Sequence, residues 1–271
     1  IAAALAVLDD AGVDEVHGAR VAARRLRSML KTFRPLLDEQ RARLYRADLR
    51  SFAQSLGTVR EADVRRDLLL ELARHDDAVG AAERQRLAVL LDDACRASRE
   101  HLRRHIAERG WKVLCRALQR DASARQLFTV RDAELGAVVQ LTARAWRRPV
   151  KLLRLGPTST VELHELRLAF KHCRYALEPI ADVAPKASTR LLRRLRAAQD
   201  RIGEHRDTLL AEHWVREHER ALGRPLVGRL AAIIAVREKV LRRQSARRAA
   251  RVLEAWQAWR DATRRIRMAG C

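Results

Sequence analysis

Between His17 and Leu37 the apolar side chains keep to one side of a helix. With His17 set at zero and about 100° per residue, Leu26, Met29, Leu30, Phe33 and Leu37 fall between about 120° and 220°. A later segment repeats the pattern, with Leu166, Cys173, Ala176, Leu177 and Ile180 on the corresponding side. Pro and Gly are sparse, at 6 and 11, so few positions interrupt such patterns. Leu, Ala, Arg and Glu dominate and β-branched runs are rare, which predicts an all-α chain. Breakers divide it into helices over 1–10, 14–36, 39–56, 60–78, 81–109, 111–120, 131–153, 160–182, 187–202, 205–222, 225–244 and 247–268. The weakly periodic stretch 121–130 is the expected join between two halves, 1–125 and 126–271. Amphipathic helices joined by short turns pack antiparallel, so each half is expected to be a bundle of about four long helices.

The halves are related. The segment 17–30 aligns without gaps on 164–177, matching His17/His164, Arg20/Arg167, Ala22/Ala169, Arg27/Arg174 and Leu30/Leu177, with Arg24/Lys171 keeping the charge. Leu56-Gly57-Thr58-Val59-Arg60-Glu61 then aligns on Ile202-Gly203-Glu204-His205-Arg206-Asp207. Two matches in one order, at nearly one offset, argue for an internal duplication.

Charge sharpens the picture. The chain carries 56 Lys+Arg against 34 Asp+Glu, a net charge of +22. A field of that sign and size points to a polyanionic partner. On the wheel, Arg20, Arg24, Arg27 and Lys31 form a stripe between about 280° and 340°, headed by His17 and well clear of the apolar side. Arg167, Lys171 and Arg174 repeat it after His164. Like charges at such spacing destabilise a helix by a few tenths of a kcal/mol per pair. No acid is interleaved in either stripe, so an external counter-ion is expected. Asp14 is placed to cap the first of these helices, and Ser159 with Glu162 to form a capping box on the second.

His-x-x-Arg-Val-Ala-x-Arg-Arg-Leu-Arg at 17–27, His-x-x-Arg-x-Ala-x-Lys-x-x-Arg-Tyr at 164–175 and Leu-Gly-x-x-Arg-Glu-x-Asp-Val at 56–64 together resemble the conserved histidine α-helical domain, or CHAD, family. The resemblance implies two pseudo-symmetric four-helix bundles that bind inorganic polyphosphate in a basic channel or groove between them, in some members on polyphosphate granules. It implies polyphosphate-binding roles for His17, Arg20, Arg24, Arg27, His164, Arg167, Lys171 and Arg174, and Lys31, which continues the first stripe on the wheel, is expected to join them. Arg60 and Arg206, following turns at Gly57 and Gly203, resemble the family's Arg-Asp element. Read without the resemblance, those two arginines would pair with Asp63 or Asp207 to pin helix starts. The chain departs from the family pattern at Glu61, where Asp is usual, at Ile202, where Leu is usual, and at His172, which stands opposite Arg25.

Other classes find less support. Aromatic residues make up 4%, so base-stacking platforms are scarce. Nucleic acid is therefore a secondary partner. No P-loop, HExxH or GxSxG motif occurs, and phosphoryl chemistry normally needs a metal held by clustered carboxylates, which the stripes lack. A non-enzymatic module with no cofactor or catalytic metal is expected. No apolar run is long enough to cross a membrane. The four cysteines are far apart with no CxxC pair, which is in keeping with a reducing, cytoplasmic address.

Overall fold

A computed structural model describes residues 13–108, 111–129, 134–157 and 159–269. The helix expected over 1–10 lies outside them. The described helices are α1 (Val13–Thr32), α2 (Glu39–Arg74), α3 (Ala81–Glu108), α4 (Trp111–Ser123), α5 (Leu135–Arg144), α6 (Arg147–Leu155), α7 (Thr160–Leu177), α8 (Pro185–Glu217), α9 (Glu219–Leu222), α10 (Arg224–Ala262) and α11 (Arg264–Ala269), with 3-10 turns at Arg34–Leu36 and Glu178–Val183. Among the described residues there is no strand, only an isolated bridge between Leu37 and Phe128. The chain is all-α, as its composition predicts.

Three expected breaks are absent. Gly57 lies inside α2, Gly203 inside α8, and the sequence around 245–246 inside α10. A glycine in a helix interior costs only about 1 kcal/mol relative to alanine. Burial outweighs that cost: Leu56 and Val59 are fully buried beside Gly57, and Ile202 and His205 are nearly so beside Gly203. Arg60 and Arg206 therefore sit in mid-helix and follow no turn. Conversely, the single helix expected over 131–153 is split into α5 and α6 around the buried Trp146. Pro149 has no amide to continue the ladder, so it falls in the first turn of a new helix. Pro35 and Pro179 likewise end regular helix earlier than expected, after Thr32 and Leu177. The Ser159–Glu162 capping box forms, with Glu162 N–H donating to Ser159 Oγ at 3.2 Å and Ser159 N–H donating to Glu162 Oε2 at 3.0 Å. Asp14 lies within the first turn of α1 instead of capping it.

The helices group into two compact units that do not follow the division at 125/126. Unit 1 draws on the described residues up to Ala23, on Ser51–Cys115 and on Glu204–Leu241; unit 2 draws on Arg24–Arg50, Arg116–Gly203 and Arg242 onward. Each unit takes segments from both sequence halves. In unit 1, Leu69, Val79, Leu87, Leu91, Leu226 and Leu230 pack with Trp214. In unit 2, Phe170, Leu163, Leu166, Leu191 and Leu195 surround a stack of Trp146 on Trp256 at 4.5 Å and Trp256 on Trp259 at 5.2 Å. The expected core residues Leu166, Cys173, Ala176, Leu177 and Ile180 are all buried. In α1 the buried apolar positions are Val16, Ala19, Ala23 and Leu30, and Leu37 beyond it is buried too, whereas Leu26, Met29 and Phe33 are only half-buried.

The join at 121–130 is anchored within unit 2. The Asp121 carboxylate accepts from Tyr45 Oη–H at 2.6 Å and from Arg41 at 2.8 Å, and Asp38 N–H donates to Leu127 O at 2.9 Å. Burial and this hydrogen bond push the Tyr45 hydroxyl up to about 12.

Candidate phosphate-binding site

In unit 1, Arg20 projects from α1 across Gly57 of α2. A Cβ on Gly57 would lie 3.9 Å from Arg20 Nε and 4.0 Å from Nη2. In unit 2, Arg167 projects from α7 across Gly203 of α8, where a Cβ would lie 3.2 Å from Arg167 Nη2 and 3.3 Å from its Nε. Each glycine thus lies under the arginine of its own His-x-x-Arg motif, a relation between motifs that chain order alone does not show, but only at Gly203 is the approach closer than an added methyl group allows without movement.

Acids compensate both stripes in the folded chain, from other helices and, at Glu178, from one turn beyond Arg174. Glu61 of α2 receives Arg206 Nη2 at 2.9 Å and Arg20 Nη2 at 3.8 Å, and Asp207 lies 3.6 Å from Arg206 Nη1. Glu178, beyond α7, receives Arg25 at 3.0 Å, Arg174 at 3.6 Å and Arg196 at 3.9 Å. Arg206 is thus engaged by Glu61 as well as Asp207. Asp63 pairs with Arg99 at 2.7 Å, and Arg60 makes no ion pair among the described residues. His17 is exposed at the start of α1; Arg24, His164, Arg167 and Lys171 are half-buried, and Lys31 is exposed.

The C-terminal part of the first stripe meets the helix of the second. Ser28 Oγ is 2.6 Å from His172 Nδ1, and Thr32 Oγ1 is 3.4 Å from its Nε2. Ser28 and Thr32 are buried although they flank the cation stripe. His172 lies between Lys171 and Arg174 in α7. Burial, and then repulsion from Lys31 and Arg46, pushes its imidazole down to about 4, so it is neutral at pH 7. Arg27 is held below the usual arginine range by burial and then by Arg50, Arg24 and Arg46. It remains a cation, because guanidinium does not deprotonate near neutrality.

Arg46 and Arg50 join these cations, and the motif reading missed them. They lie one turn apart near the start of α2, at the i, i+4 spacing that marks the other stripes, but outside every duplicated motif. Together Arg24, Arg27, Lys31, Arg46 and Arg50 make a cluster of one sign in unit 2. Cations gathered at this spacing repel one another, and phosphate oxygens brought among them would relieve that repulsion.

An all-α chain with two His-x-x-Arg helices, each arginine crossing a helical glycine, defines a class of duplicated basic helical proteins. The CHAD domain family model matches residues 1–216, and the chain belongs to that family. The solved structure of PptA from Streptomyces chartreusis is similar, with a TM-score of 0.71 over 94% of this chain and 93% of that one, at 19% sequence identity. That likeness is one of fold, and it extends past residue 216 into α10. No curated protein matches the chain. Among the described residues, no helix is long and apolar enough to cross a membrane.

Proposed function

We propose that this chain binds inorganic polyphosphate without transforming it, as a regulatory or granule-associated module of the cytoplasm. The observation that carries this reading is the cluster of Arg24, Arg27, Lys31, Arg46 and Arg50, where the electrostatic neighbours that perturb Arg27 are all arginines. Family membership and the second stripe on α7 support it. Arginine forks suit the closely spaced oxygens of a phosphate chain. Glu61 and Glu178 are each held by arginines, a setting that opposes recruitment of a divalent metal to those carboxylates.

The test is a titration with polyphosphate, tripolyphosphate, orthophosphate and random DNA at one salt concentration. Long polyphosphate should bind tightest and displace DNA, and base sequence should have no influence. Arg24→Ala with Lys171→Ala should weaken polyphosphate binding strongly while changing stability by less than about 0.5 kcal/mol. A double variant that binds like wild type would remove the stripes from the site. Release of phosphate on incubation with Mg²⁺ would show an enzyme instead.

A further inference from the structure

The second half of α10 carries a concentration of charge that the motifs do not include. Arg242, Arg243, Arg247, Arg248 and Arg251 are all exposed, and the chain has no acid between Glu238 and Glu254. Arg243, Arg247 and Arg251 follow one another at i, i+4, i+8. They therefore form a ridge that rises about 6 Å along the helix per step while turning about 40° around it. The opposite side of the same stretch is packed: Ser245, Ala249 and Val252 are fully buried and Trp256 nearly so. The row is thus fixed in orientation by the core of unit 2. None of Arg243, Arg247, Arg248 and Arg251 makes an ion pair among the described residues.

Resting on the polyphosphate reading above, we propose that this row is a second phosphate track, which engages long polyphosphate chains and makes affinity depend on chain length. Charge complementarity favours a flexible linear phosphate chain over a nucleic-acid duplex. A single convex helix meets a rigid duplex at few phosphates, whereas a flexible chain can lie along the row. The unburied side chains among the arginines are Gln244, Ala246 and Ala250, with no aromatic to stack on a base. A short oligophosphate bound at the first cluster has no phosphates left for the row. A long chain does, and contacts shared along one molecule multiply its affinity without requiring a tighter first site.

The experiment compares R243Q/R247Q/R251Q with wild type and with R96Q/R103Q/R104Q, an equal loss of charge from exposed positions of α3. Glutamine keeps the helix propensity of arginine. Each protein is titrated with long-chain polyphosphate and with tripolyphosphate over a range of salt. The row variant should lose about tenfold or more in affinity for the long chain, and its log–log salt slope should flatten by about two, while tripolyphosphate binding changes by less than about twofold. Equal weakening of both ligands, equal weakening by the α3 control, or no weakening of the long chain would each overturn the track and leave the first site standing. Binding of duplex DNA that is lost with the row would assign the face to nucleic acid instead. Failure of wild type to bind any polyphosphate removes the site reading itself.

Discussion

Gly57 and Gly203 occupy matched positions but leave different room for a methyl group. At Gly57 the nearest atoms to a new Cβ are at 3.9 Å, so Gly57→Ala should gain roughly 0.5–1 kcal/mol by stiffening the unfolded chain. At Gly203 the contacts of 3.2 and 3.3 Å require Arg167 to move, so Gly203→Ala should gain less or lose stability and should weaken polyphosphate binding. Denaturant midpoints and a binding titration of the two variants read this difference. His172 sets a second expectation. The unfolded chain takes up its proton near 6.5, the folded chain only near 4. Between those values the unfolded state binds more protons, so this group's contribution to stability is lost as pH falls from about 6.5 toward 4. His172→Gln, which can still hydrogen-bond Ser28, should show a shallower loss of stability over that range in denaturant midpoints taken at successive pH values. Neither effect was legible at the residue itself. The sequence marks Gly57 and Gly203 as breakers and His172 as a mismatch, and only the neighbours give them these roles.

At the scale of elements, α1 packs only partly as its wheel predicts. The helix also buries Ser28 and Thr32, which turns its packed side away from Leu26. Leu30→Ala should therefore cost roughly 2–5 kcal/mol, and Leu26→Ala nearer 1 kcal/mol, in equilibrium unfolding. A similar cost at both positions would restore the simple amphipathic picture. The N-terminal part of α2 gains its tie to the join through Asp121. Asp121→Asn should lower the Tyr45 hydroxyl from about 12 toward its ordinary 10, visible in a spectrophotometric titration. Capping of α7 was legible because a capping box is a local arrangement of four residues. The continuity of α2, α8 and α10 was not, because it depends on burial supplied by distant segments.

At the scale of the molecule, the net charge of +22 predicts that polyphosphate affinity falls steeply with salt, with a log–log slope of several units, because each neutralised phosphate releases bound counterions. A flat plot from the same titration would remove ion pairing as the source of affinity. The sequence by itself determined the helical class, the family and the repeated His-x-x-Arg motifs. Each of these is carried by residues a few positions apart or by direct repetition, and helical periodicity converts such spacings into faces. Tertiary structure alone decided the rest. It drew each compact unit from segments of both halves, because apolar faces are buried by whichever helix arrives beside them, whatever its order in the chain. It laid Arg20 and Arg167 across glycines in other helices, set Glu61 and Glu178 among the arginines, and added Arg46 and Arg50 to the cluster. Apart from the i, i+4 pair of Arg174 with Glu178, those contacts join residues far apart in sequence, and no local spacing records them.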